Sequence, residues 1–109
     1  MAEPKRSSTS KAARELADID AVFSALAHPS RRQILLVLHF RGGELTAGEI
    51  AARFECTWPT TSRHLKQLLD AGLVEQHERG RQRVYRLARE RLREVAGGWL
   101  ASFEGGDSG

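Results

Sequence analysis

The stretch that decides the fold runs from residue 46 to residue 72 and reads TAGEIAARFECTWPTTSRHLKQLLDAG. Thr46 and Glu49 have the spacing of a capping box, in which each side chain bonds the backbone N–H of the other residue, so a short helix is predicted to begin here. Thr57 is a candidate N-cap for a second helix that begins at Trp58. Only a few residues separate the two helices, and this arrangement predicts a helix-turn-helix unit.

The second of these helices has one apolar and one polar side. Leu65, Leu68 and Leu69 form its inner stripe, and Gly72 follows as a stop. The polar side carries residue types that bond base edges or phosphates, which predicts contact with DNA. The candidate DNA-binding residues on this helix are Trp58, Thr60, Thr61, Ser62, Arg63, His64, Lys66 and Gln67. Ser62 and Lys66 are expected on phosphates, and Trp58 on a base edge or a phosphate. The other five are expected in the major groove. An ordinary solvated helix face is the alternative.

The segments on either side predict further helices and a hairpin. Apolar residues at helical spacing predict a first helix over residues 12–27, a break at His28-Pro29 and another helix that ends near Phe40. After Gly72, two alternating segments at residues 73–77 and 83–87 predict a β-hairpin.

A last helix is predicted over residues 89–104 from a sustained apolar stripe. The predicted fold class is therefore mainly α with a small β-hairpin: a winged helix-turn-helix with five helices and a two-stranded wing. One domain is expected over residues 12–104, between tails at residues 1–11 and 105–109 that are predicted to be disordered.

Charge is unevenly distributed along the 109 residues. The whole chain carries +3, but residues 58–93 hold nine basic and four acidic residues, a net charge of +5. Arg79, Arg81 and Arg83 surround the hairpin loop, where like charges repel unless a polyanion approaches. These three arginines are candidate wing contacts to double-stranded DNA. A loop that only improves solubility is the alternative.

Composition argues against several classes of protein. The longest strongly apolar run is five residues, Ile34–Leu38, so neither a membrane span nor a membrane partner is expected, and residues 1–13 show no secretory signal. The one cysteine, Cys56, excludes an internal disulfide and fits a cytoplasmic location. No catalytic constellation or phosphate-binding glycine loop is present, so we expect neither an enzyme nor a cofactor.

Four segments in order carry a resemblance to a known family. They are ALAHPSRRQIL (residues 25–35), LTAGEIA (45–51), PTTSRHLKQL (59–68) and DAGLV (70–74). Over about residues 16–103 the chain resembles the ArsR/SmtB family of bacterial repressors, and LTAGEIA looks most like the autorepressor, SdpR-type branch. The resemblance implies a homodimeric winged-helix repressor on operator DNA, with the first and last helices at the dimer contact.

Large apolar residues on the first and last helices agree with such a contact. The candidate dimer residues are Leu16, Ile19, Phe23, Leu92, Val95, Trp99, Leu100 and Phe103. The alternative is that both stripes only close the core of the monomer. Two identical DNA-binding heads on a two-fold axis would require an inverted-repeat operator.

The chain departs from the family's metal sensors. Thr46 and Gly48 occupy the positions of the sensors' two cysteines, and residues 89–104 contain no histidine, so no metal site is predicted. An alternative function is a ligand- or thiol-responsive regulator that is switched through Cys56 or the dimer interface, and another is a protein-interaction module. Cys56 is otherwise a small residue that packs the turn. The sequence identifies no small-molecule effector.

Overall fold

The computed structural model describes residues 3–54 and 56–104, with side chains from residue 10 onward. Its elements in chain order are α1 (Glu3–Leu26), α2 (Pro29–Phe40), β1 (Glu44–Thr46), α3 (Ala47–Arg53), α4 (Trp58–Asp70), β2 (Val74–Arg79), β3 (Gln82–Leu87), α5 (Arg89–Leu92), a π-helical turn (Arg93–Gly97) and α6 (Gly98–Ala101). The last three elements follow one another directly and are called the terminal helix below. The predicted winged helix-turn-helix class is confirmed. In the described ranges, no helix combines the length and the apolar character that a membrane span requires.

The first helix begins earlier than predicted. Residues 3–11 are helical, in a segment that the sequence predicted to be a disordered tail. Pro4 stands in the first turn, where its missing N–H costs nothing, and extending an existing helix avoids the cost of a new nucleus. The predicted tail at residues 105–109 lies outside the described residues.

The break between α1 and α2 falls where His28-Pro29 predicted it. His28 is the N-cap of α2, and its Nδ1 accepts a hydrogen bond from the Ser30 backbone N–H at 3.2 Å. Pro29 is the first helical residue. At the other end, the Gly43 N–H donates to the Leu38 carbonyl oxygen at 2.7 Å and closes the helix before β1.

The sheet has three antiparallel strands in the order β1-β3-β2. The sequence predicted β2 and β3 but not β1, because three residues are too few to show an alternating pattern. β1 is a strand because it pairs with β3, with Leu45 opposite Tyr85. The hairpin loop has only two residues, and Gly80 at its first position has φ of +64°, as a type II′ turn requires.

The core lies where α1, α2, α3 and α4 meet the sheet and the terminal helix. Its fully buried members include Val22, Ile34, Leu38, Ile50, Leu65, Leu68 and Leu73. The capping box of α3 is present: the Glu49 N–H donates to Thr46 Oγ1 at 3.1 Å, and the Thr46 N–H donates to Glu49 Oε1 at 2.9 Å. This bond pair fixes the start of the first helix of the helix-turn-helix unit.

The terminal helix is not the uniform α-helix that its stripe predicted. A π turn takes one residue more than an α turn. The residues after Gly97 are therefore rotated about the helix axis by about 100° from the positions that an uninterrupted α-helix would give them. Leu92 and Val95 pack against the core, whereas Leu100 and Phe103 are exposed. The turn therefore separates one predicted stripe into a core half and an outward half.

Candidate nucleic-acid interface

Helix α4 is anchored by one buried face. Leu65 and Leu68 are fully buried in the core. Thr57 occupies the N-cap position as predicted, but its side chain bonds no backbone N–H; instead its Oγ1 donates to Thr60 Oγ1 at 3.2 Å. The first turn of α4 is therefore without a side-chain cap.

Thr61 does not lie on the exposed face of α4 that its predicted DNA contact requires. Its side chain is only 2% exposed. Thr61, Leu65 and Leu68 are spaced by four and three residues, which places all three on one side of a helix. That spacing was visible in the sequence, but the polar character of threonine masked it. A buried hydroxyl cannot bond DNA while α4 stays packed.

The remaining candidates on α4 are accessible to different degrees. Trp58, Arg63, Lys66 and Gln67 are exposed, and Thr60, Ser62 and His64 are half-buried. Lys66 Nζ lies 3.3 Å from Asp70 Oδ2, one helical turn away, so its charge is partly offset within the helix. α4 thus presents a polar face on which Arg63 and Gln67 are long, exposed side chains that can reach a groove.

His64 lies among basic groups at the junction of α2 and α4. Its ring centroid is 4.4 Å from that of His28, and its Nδ1 is 3.3 Å from Arg31 Nη1. Burial lowers the pKa of His64 below its ordinary 6.5, and the neighbouring His28, Arg31 and Arg63 side chains lower it further. These residues line an open cavity of about 290 Å3 together with Thr60 and Gln67.

Arg31 and Arg32 have a role that sequence reasoning missed. Both side chains bond the last carbonyl groups of α1. Arg31 Nε donates to the Ala25 oxygen at 2.7 Å, and Arg32 Nη1 donates to the Leu26 oxygen at 2.8 Å. Cations at a helix C-terminus bond its free carbonyl groups and interact favourably with the helix dipole. In the sequence, this role is indicated by two arginines that follow shortly after a helix break.

The three predicted wing arginines differ in their surroundings. Arg79 Nη2 lies 2.6 Å from Glu44 Oε2, and Arg86 Nε lies 3.4 Å from the other oxygen of the same carboxylate. The hydrogen bond from Arg79 is the main cause that lowers the pKa of Glu44. Within residues 10–54 and 56–104, Arg81 and Arg83 are exposed and form no ion pair within 4.0 Å. Two of the three are therefore free to meet an anion, and Glu44 is a site residue that the sequence did not indicate.

The wing lies beside the helix-turn-helix unit. Glu78, Arg81, Gln82 and Arg83 of the hairpin line an open cavity of about 450 Å3 together with residues 46–48 at the start of α3. The basic tip of the hairpin and the first helix of the unit therefore border one continuous groove.

An apolar patch lies on α1 and the terminal helix. Leu16 is 63% exposed and Phe103 is 68% exposed. Trp99 stacks edge-on against Phe23 at 5.2 Å and against Phe103 at 4.9 Å. The patch comprises Leu16, Ile19, Phe23, Trp99, Leu100 and Phe103. The other two candidate dimer residues, Leu92 and Val95, pack against the core of their own chain.

Potential metal donors are dispersed. In the part of the chain that the structure describes, no three residues of the types His, Cys, Asp and Glu are grouped so that they could share a metal ion. The Thr46 hydroxyl is engaged by the Glu49 N–H. Cys56 is exposed in the turn before α4.

Two closely spaced helices, a basic two-stranded wing and helices on either side define a winged helix-turn-helix DNA-binding regulator. A family model described as a helix-turn-helix domain matches residues 26–77. The transcriptional repressor SdpR of Bacillus subtilis is 37% identical over 82 residues, which cover 75% of this chain and 88% of SdpR.

Solved structures give the same result. An ArsR-like transcriptional regulator from Rhodococcus sp. RHA1 superposes with a TM-score of 0.73 and 28% identity, over 85% of this chain and 86% of that one. A homodimeric winged helix-turn-helix DNA-binding domain from Mycobacterium bovis is described as a possible ArsR-family regulator. It superposes with a TM-score of 0.67 and 32% identity, over 84% of each chain. The chain belongs to the ArsR family of winged-helix transcriptional repressors. Its relatives are DNA-binding transcriptional regulators and not enzymes.

Proposed function

We propose that this protein represses transcription in the cytoplasm as a homodimer on an inverted-repeat operator, with α4 in the major groove and the wing on flanking DNA. The observation that carries the proposal is the exposed basic wing tip beside the helix-turn-helix unit. Arg81 and Arg83 there have no ion pair in the described part of the chain, and arginine is favoured in narrow minor grooves and on phosphates.

Individual roles on α4 follow from side-chain chemistry. Arg63 can fork onto guanine and Gln67 can pair with adenine, and both are exposed. Thr60 and His64 border the same cavity and would anchor bases or backbone. Ser62 and Lys66 are assigned to phosphates, where they would position the helix without reading sequence.

The apolar patch on α1 and the terminal helix supports a two-fold dimer. Exposed aromatic and leucine side chains in one patch mark an association surface. The similar Mycobacterium bovis domain is homodimeric by its description. In a two-fold dimer the paired recognition helices would meet half-sites roughly 34 Å apart, which demands an inverted repeat.

We further propose that the repressor does not respond to metal and belongs to the autorepressor branch. Thr46 and Gly48 supply no thiolate, and Thr46 is already bonded in the capping box. Operator affinity measured with chelator and with added zinc, nickel or arsenite is expected to be the same. A loss of binding with any of these ions contradicts the proposal.

Selection of bound duplexes from a random pool tests the repressor assignment. We expect an enriched inverted repeat whose half-site centres lie about 10 base pairs apart, and a dimer in sedimentation. Arg81→Ala should weaken binding to all sequences and flatten the plot of log affinity against log salt by about one unit of slope. Arg14→Ala on exposed α1 is the matched control and should leave the slope unchanged. No enrichment from the pool contradicts DNA reading and favours a protein-interaction module.

A second candidate is thiol control of binding. Cys56 is exposed and lies two positions before α4, so a group added to its sulfur would stand near the DNA-facing turn. Alkylation with iodoacetamide should then lower operator affinity in the native chain and not in Cys56→Ser. Equal affinity before and after alkylation rules out thiol control through Cys56.

A further inference from the structure

One guanidinium joins α1 to the recognition helix α4. Arg31 Nε donates to the Ala25 carbonyl oxygen at 2.7 Å, and Nη2 donates to the Ser24 carbonyl oxygen at 3.1 Å. The remaining nitrogen, Nη1, lies 3.3 Å from Nδ1 of His64 on α4. A single planar fork therefore bonds the C-terminal end of α1 and a side chain of α4 at once, which a lysine ammonium on its single atom cannot do in the same geometry.

The chemistry of this contact fixes the state of the His64 ring. Arginine has donors only, so His64 Nδ1 must be the acceptor and the ring must be neutral, with its proton on Nε2. The charged or titratable groups that face the ring are Arg31 and His28 from the start of α2 and Arg63 from α4 itself, while α1 contributes backbone carbonyls. All three side chains disfavour a charged imidazole.

We propose that Arg31 is a positioning residue for DNA reading, which holds His64 as a neutral Nε2–H donor and ties the orientation of α4 to the end of α1. The inference rests on the proposed function, because α1 carries part of the apolar patch assigned to the dimer. A neutral donor on α4 selects hydrogen-bond acceptors in the major groove, such as purine N7 or guanine O6. The tie would transmit the geometry of the dimer helices to the helix that reads the operator.

Arg32 is a matched control within the same helix. Arg32 Nη1 bonds the Leu26 carbonyl at the same end of α1, and Arg32 makes no hydrogen bond to α4. Arg31→Ala and Arg31→Lys should both lower affinity for the selected operator about tenfold, the value of a charged hydrogen bond. Arg32→Ala should lower it by less than about threefold, since a helix-end contact alone is lost. Equal losses for Arg31→Ala and Arg32→Ala overturn the proposal.

Substitutions of His64 give a second, sharper readout. In His64→Asn the amide oxygen stands near the position of Nδ1, accepts from Arg31 and cannot titrate. A double-mutant cycle of Arg31→Ala and His64→Ala, measured on operator affinity, should show a coupling free energy at a pH above the pKa of His64. Below that pKa the coupling should vanish, because a protonated ring cannot accept a hydrogen bond from Arg31. In the His64→Asn background, Arg31→Ala should lower the operator affinity by the same factor at both pH values.

Nitrogen-15 NMR of the imidazole rings tests the tie without DNA. The His64 ring is expected in the Nε2–H form at neutral pH, and Arg31→Lys should mix the two tautomers. An Nδ1–H ring in the native protein overturns the inference. If the native protein enriches no operator, the repressor assignment fails while this measurement still decides whether the tie exists.

Discussion

Replacing Glu44 by glutamine should strengthen DNA binding. The Glu44 carboxylate lies 2.6 Å from Arg79 and 3.4 Å from Arg86, so one negative charge is shared by two arginines of the β-hairpin. Glutamine keeps the length of the side chain and removes the charge. The two guanidinium groups would then be released toward the phosphates that the wing meets.

The expected magnitude follows from counterion release. Each phosphate contact adds about 0.9 to the slope of log affinity against log salt. Release of Arg79 alone should steepen the slope by about 0.9, and release of Arg86 as well should steepen it by about 1.8. Between 50 and 200 mM salt, the affinity of Glu44→Gln should fall by an extra factor of about 3.5 for one contact or about 12 for two.

Fluorescence anisotropy with a labelled duplex at several salt concentrations measures this slope directly. Glu90→Gln is the matched control: it removes the same charge from an exposed carboxylate that lies 3.9 Å from Arg93 on the terminal helix. Its slope should stay near that of the native protein. If Glu44→Gln also keeps the native slope, or binds DNA more weakly at low salt, Arg79 and Arg86 are not phosphate contacts.

Four further predictions concern folding and assembly. Leu68→Ala creates a cavity at a fully buried core position and should lower the free energy of unfolding by about 2–5 kcal/mol in a urea titration. Leu100→Ala removes a large side chain from the exposed apolar patch and should shift sedimentation toward the monomer. Thr46→Ala should cost about 1 kcal/mol of stability, because the N-cap of α3 is lost. The Thr46 N–H bond lowers the folded-state pKa of Glu49 below its ordinary 4.5, so the stability that Glu49 contributes is complete above pH 4.5 and is lost as pH falls through the folded pKa. Glu49→Gln should flatten the acid limb of a stability-against-pH curve, and an unchanged limb would contradict that origin.

Elements set by neighbours in sequence were predictable. The capping box needs only Thr46 and Glu49, and the break after α1 needs only His28-Pro29. The alternating strands of the wing likewise show in the residue order. Each of these features depends on contacts within a few positions, so the sequence displays all the partners that form it.

Features set by distant partners were not predictable in the same way. Thr61 turned inward because packing of α4 on the core outweighs the polarity of one hydroxyl. β1 exists only because β3 offers it hydrogen bonds. The π turn in the terminal helix moved Phe103 away from the face that Leu92 occupies.

By itself the sequence determined the class of fold, the helix-turn-helix unit and the basic wing, since periodicity, caps and local charge are properties of short segments. Tertiary structure alone decided which polar groups are free to act. Glu44 engages Arg79 across 35 positions, and Arg31 reaches His64 across 33. Such pairs form when separate elements pack together, and no local pattern in the chain records which distant partner a long charged side chain will meet.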